Sequence, residues 1–84
     1  MSPTVFTWKG YRFFFFSREE TRRHVHVSCP DGEAKLWLEP TVCLAKNYGL
    51  SPAQLLKVMK VVEERKDEIA RSWHRHFPGA SHQR

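Results

Sequence analysis

Apolar and polar positions alternate in several short stretches of the first half of the chain. Thr4 to Trp8 and Tyr11 to Phe16 are dense in β-branched and aromatic residues, and Lys9-Gly10 between them is a two-residue spacer of the kind that closes a β-hairpin. That spacing sets Trp8 opposite Tyr11, Phe6 opposite Phe13 and Val5 opposite Phe14. Cross-strand ring pairs of this sort each stabilise a hairpin by roughly 0.2–1 kcal/mol. In the second strand Tyr11, Phe13 and Phe15 point one way, and Arg12, Phe14 and Phe16 the other. Apolar residues on both faces mark an interior strand.

Ser17 to Arg23 is polar without an apolar period and reads as a loop. His24 to Ser28 and Glu33 to Leu38 alternate again, and Cys29-Pro30-Asp31-Gly32 between them is a turn sequence. Setting Val27 against Ala34 and Val25 against Leu36 keeps apolar residues together, whereas a slip of one residue would place Val27 against Lys35. The favoured register puts His26 opposite Lys35 and His24 opposite Trp37. Pro40 ends that strand, and Thr41 to Asn47 fits either a short edge strand or a helical turn, with strand preferred.

A helix start follows. Ser51 suits the N-cap, Pro52 the first helical position and Gln54 the capping-box partner, with Leu50 and Leu55 as a hydrophobic staple. Leu55, Val58, Met59, Val62, Ile69, Trp73 and Phe77 then recur at helical spacing until Pro78 and Gly79. The expected fold class is therefore α+β: a small antiparallel sheet of four to five strands packed against one long C-terminal amphipathic helix. Residues 1–79 are expected to form a single domain and 80–84 a disordered tail.

Composition narrows the function classes. At 84 residues the chain supports one hydrophobic core, and its 13% aromatic content helps so small a core reach stability. Met1 to Phe6 lacks the basic start and apolar run of a signal peptide, and no stretch approaches the roughly 20 apolar residues that span a bilayer. A cytoplasmic protein without a membrane partner is the expectation, with Cys29 and Cys43 as buried free thiols. Fourteen Lys and Arg against nine Asp and Glu give a formal charge of +5, which favours acidic surfaces or nucleic acid as partners.

Several strings together resemble one family. Ser2-Pro3-Thr4-Val5-Phe6, Tyr11-Arg12-Phe13-Phe14-Phe15, His24-Val25-His26-Val27, Gly32 through Pro40, and Trp73 with Phe77 look like the domain-of-unknown-function 4160 family of small prokaryotic proteins, over nearly the whole chain. The resemblance implies a cognate small protein encoded nearby and a role that has been proposed as a toxin–antitoxin component; it names no reaction. The family tends to carry an earlier histidine and a proline pair before its His-x-His, whereas here Arg22 and Arg23 precede an intact His24-Val25-His26.

His24 and His26, two apart on a strand, project from one face and are the candidate catalytic pair. A metal site would need a further ligand from Cys29, His74 or His76, which the spacing does not supply, so neither metal nor other cofactor is expected. Metal-free acid–base cleavage of RNA, with Arg22 or Arg23 holding phosphate charge, is the enzymatic reading. Structural histidines are the simpler one. The face opposite the helix would also carry Lys35 and Trp37, with Arg12, Phe14 and Phe16 nearby. Rings and cations on an uncovered face fit a protein interface first, in a homodimer or with the cognate protein, and RNA or DNA second. No nucleotide-binding loop, nucleophile elbow or zinc-finger spacing is present.

Overall fold

The computed structural model describes residues 4–15 and 22–77. Five strands, β1 (Thr4–Trp8), β2 (Tyr11–Phe14), β3 (His24–Cys29), β4 (Gly32–Trp37) and β5 (Cys43–Tyr48), precede two helices, α1 (Pro52–Glu64) and α2 (Lys66–His76). The strands form one antiparallel sheet in sequence order, so β1 and β5 are its edges. Phe16 and residues 80–84 lie outside the described residues.

The hairpin closes at Lys9 and Gly10, both at positive φ (47° and 85°), the conformation a two-residue hairpin loop requires. Trp8 pairs with Tyr11 and Phe6 with Phe13 as the alternation predicts, and the Phe6 and Phe13 rings stack at 4.5 Å. One pairing differs. A register shift between Thr4 and Phe6 sets Thr4, not Val5, opposite Phe14, and Arg12 then donates through Nε to the Thr4 hydroxyl at 2.7 Å. The β3–β4 register is the predicted one throughout, from His24 opposite Trp37 to Cys29 opposite Gly32. Gly32 has to be glycine because a Cβ there would run into the Tyr48 carbonyl oxygen on β5. The strand preferred for 41–47 forms at Cys43–Tyr48, an edge strand whose pairing shifts register between Lys35 and Leu36.

The β5–α1 connection is held by polar clamps. Asn47 receives the Leu50 N–H on Oδ1 and donates through Nδ2 to the Leu50 carbonyl, both at 3.0 Å. Ser51 Oγ accepts from the Gln54 N–H at 3.1 Å and Gln54 Oε1 from the Ser51 N–H at 2.8 Å, completing the predicted capping box. Gln54 Nε2 also donates to Asp31 at 2.8 Å, tying the helix start to the β3–β4 turn.

The single long helix expected from the apolar stripe is instead two helices. Arg65 leaves helical geometry (φ −113°, ψ 19°) and separates α1 from α2. Residues 63–68 are all charged, so the stripe has no apolar side chain between Val62 and Ile69. Arg65 occupies that gap and lays its guanidinium 4.4 Å from the Phe6 ring centroid. Asp67 and Glu68 in the first turn of α2 and Arg75 in the last complement the dipole of the new helix.

Both helices cover the sheet face that carries Phe13, Val25, Val27, Ala34 and Leu36, where Val58, Val62, Ile69 and Trp73 complete the core. Trp73 is only 1% exposed and meets Phe15 edge-on at 5.2 Å. Trp73→Ala is expected to cost about 3–5 kcal/mol in urea denaturation, the usual range for truncating a buried ring; a loss under about 1 kcal/mol would contradict this packing.

Candidate functional site

Strand alternation sends His24, His26 and Ser28 to the face opposite Val25 and Val27, and the ladders carry that face across the sheet. One row runs Phe14, His26, Lys35, Lys46 and a second Arg12, Ser28, Glu33, Tyr48; His24, Trp37 and Cys43 form a third. This outer face therefore brings together the predicted residues Arg12, Phe14, His24, His26, Lys35 and Trp37. Arg22, in the segment before β3, joins them with its guanidinium 4.0 Å from the Trp37 ring centroid. Arg23 turns elsewhere: its backbone N–H donates to Glu39 at 3.3 Å and its guanidinium pairs with the same carboxylate at 3.8 Å. That pair is partly exposed and contributes little to stability.

The histidines are not presented to solvent. His24 is fully buried and His26 only 9% exposed. Phe15 and His24 both sit where β2 ends and β3 begins, and Trp73 reaches that end of the sheet, 5.2 Å from the His24 ring. His26 at 5.2 Å and Trp37 at 5.7 Å meet His24 edge-on from other sides. His24 Nδ1 lies 2.7 Å from the Arg22 carbonyl oxygen. A carbonyl only accepts, so Nδ1 carries the proton and fixes the tautomer. His26 stacks on Phe14 at 5.5 Å. Both imidazoles are thus packed against aromatic neighbours, and two histidines two apart on a strand would look the same in sequence if they were open.

The rings of this face are also less exposed than the alternation implies. Phe14 is 3% exposed, with the Arg12 guanidinium 4.5 Å from its centroid. Trp37 is half-buried beneath Arg22 and, at 4.6 Å, Lys35 Nζ. Cations thus lie against the rings of this face, Arg12 on Phe14 and both Arg22 and Lys35 on Trp37. Each such contact contributes about 0.5–1 kcal/mol at exposed sites. Lys46 stands in the same ladder row, directly opposite Lys35. Sequence reasoning missed it because the β4–β5 register crosses a bulge that apolar pairing alone does not locate.

Among the described residues, no three His, Cys, Asp or Glu side chains gather into a group able to hold a metal ion. Cys29 and Cys43 are free and half-buried rather than buried. No helix among the described residues is long and apolar enough to cross a membrane.

A family model described as a domain of unknown function, DUF4160, matches residues 10–74, which include the outer-face residues and Trp73. No curated protein and no solved structure matches the chain.

Because His24 is caged by Trp37, Trp73 and His26, His24→Ala is expected to lower stability by about 2–4 kcal/mol, from the cavity and the lost hydrogen bond together. Urea denaturation should show a smaller loss for His26→Ala. Equal, negligible losses for both would mean that the imidazoles are open to solvent.

Proposed function

The chain belongs to the DUF4160 family, and from that premise we propose that it is a small binding or regulatory module that meets an acidic partner through the outer face of its sheet. The observation that carries this reading is the set of cations Arg12, Arg22, Lys35 and Lys46 on this face, with Glu33 as the acid in the same ladder rows. Lys35 and Lys46 stand directly opposite one another on β4 and β5, so the row places two cations side by side on this face. The overall charge of +5 points the same way, and would steer an acidic partner toward the chain.

A cognate small protein encoded nearby, in a toxin–antitoxin pair, is the partner this reading favours. Its support is the family resemblance together with the charge of the face. A homodimer through the same face is disfavoured, since it would set these cations against their own copies.

The competing reading is a ribonuclease-like enzyme using His24 and His26. General acid–base transfer needs an imidazole within about 2.6–3.2 Å of the proton it moves, or one water away. Burial of His24 and the stacking of His26 on Phe14 leave the pair poorly disposed for that contact.

The test is titration of the purified chain with the protein encoded beside it, in parallel with an RNA cleavage assay. Lys35→Glu with Lys46→Glu is expected to weaken binding by about tenfold or more, with affinity falling as salt rises, and the wild-type chain to cleave no RNA. Salt-independent binding indifferent to both charge reversals would remove the outer face from the interface. Turnover of RNA that requires His24 or His26 would establish the enzyme, and tight binding of RNA in place of the protein would transfer the face to nucleic acid.

A further inference from the structure

A second basic cluster lies away from the outer face, where the tip of the β1–β2 hairpin meets α1. Trp8, Lys9, Lys57, Lys60, Val61 and Glu64 line a groove of about 420 Å³, within the size range of small-ligand sites. Its floor is apolar: Val61 is buried and Trp8 half-buried. Its rim is cationic, with three lysines against the single carboxylate of Glu64.

Two features separate this cluster from an ordinary solvated helix face. The lysines come from different elements, since Lys57 and Lys60 are neighbours one turn apart on α1 while Lys9 comes from the hairpin turn. Lys9 also occupies a left-handed backbone position (φ 47°) that asparagine, aspartate or glycine fills more readily. From there its ammonium sits 5.6 Å from the Trp8 ring centroid. An indole and three ammonium groups lining one groove can together hold a planar heterocycle and a phosphate beside it.

We propose that this groove binds a nucleotide unit, with its base against Trp8 and its phosphate between Lys9, Lys57 and Lys60. The unit is either a free nucleotide or one residue of a single strand. The assignment does not depend on the outer-face reading, because no residue is shared between the two surfaces.

The test uses the full-length chain and amide chemical-shift titration with four probes: adenosine monophosphate, a short oligouridylate, inorganic phosphate and an oligoglutamate peptide. Adenosine monophosphate or the oligonucleotide is expected to shift the amides of Trp8, Lys9, Gly10 and Val61. Lys57→Gln with Lys60→Gln is expected to weaken that binding by roughly tenfold or more, as loss of charge-assisted contacts should. Lys35→Gln on the outer face should leave it unchanged. Binding of the mononucleotide identifies a free-nucleotide site, and binding of the oligomer alone identifies a strand site; either supports the proposal. Saturation by neither nucleotide probe at millimolar concentration would overturn it. So would nucleotide binding indifferent to the lysine changes, or inorganic phosphate or oligoglutamate binding as tightly as the nucleotides. Because Lys57 and Lys60 are exposed, the double variant should fold as the wild type does, which thermal melting checks directly.

Discussion

Trp73 makes contacts on which both the fold and the candidate site depend. Its ring lies 5.2 Å from Phe15, a core residue, and 5.2 Å from His24, the first residue of β3. A single indole thereby joins the core to the end of the outer face. The contact exists because α2 reaches the sheet end where β2 finishes and β3 starts, which in turn requires the break at Arg65 and the fixed start of α1 at Ser51. His24, packed against Trp73, is fully buried, and its Nδ1 faces the Arg22 carbonyl at 2.7 Å. An open catalytic imidazole at this position would need the core itself to loosen.

What the outer face shows to solvent follows from the same packing. Phe14 and Trp37 are bulky rings on the sheet face opposite the helices, a pattern that invites association when such rings are open to water. Here the charged heads of Arg12, Arg22 and Lys35 lie against those rings, at 4.5, 4.0 and 4.6 Å from the centroids. Ring packing and positive charge are therefore coupled: removing a cation here would both uncover part of an aromatic ring and lower the positive charge of the face.

The sequence made legible those features that local rules determine. Lys9-Gly10 demanded the hairpin, Val25, Val27, Ala34 and Leu36 admitted one register without burying a charge, and Ser51-Pro52-Gln54 signalled the helix start. The missed features come from tertiary competition. A bulge at Val5 conserves the pattern of β1 yet moves Thr4 opposite Phe14, and a run of six charges is compatible with one helix until the sheet beneath must be followed. Alternation correctly put His24 and His26 on the outer face, but their burial depends on tertiary contacts such as Trp73 against His24 and Phe14 against His26. Lys46 escaped notice for a related reason, since its partner on β4 is set by a bulge with no side-chain signature.

The most direct measurement of this account is the accessibility of each imidazole to diethyl pyrocarbonate in the folded chain, read residue by residue by mass spectrometry. His74, exposed on α2, serves as the internal reference. The account predicts that His24 is carbethoxylated far more slowly than His74, and that Trp73→Ala, under conditions where the chain stays folded, brings its rate toward that of His74. Modification of His24 as rapid as that of His74 in the wild-type chain would contradict a structural histidine held by Trp73, and would return the pair to consideration as acid–base chemistry.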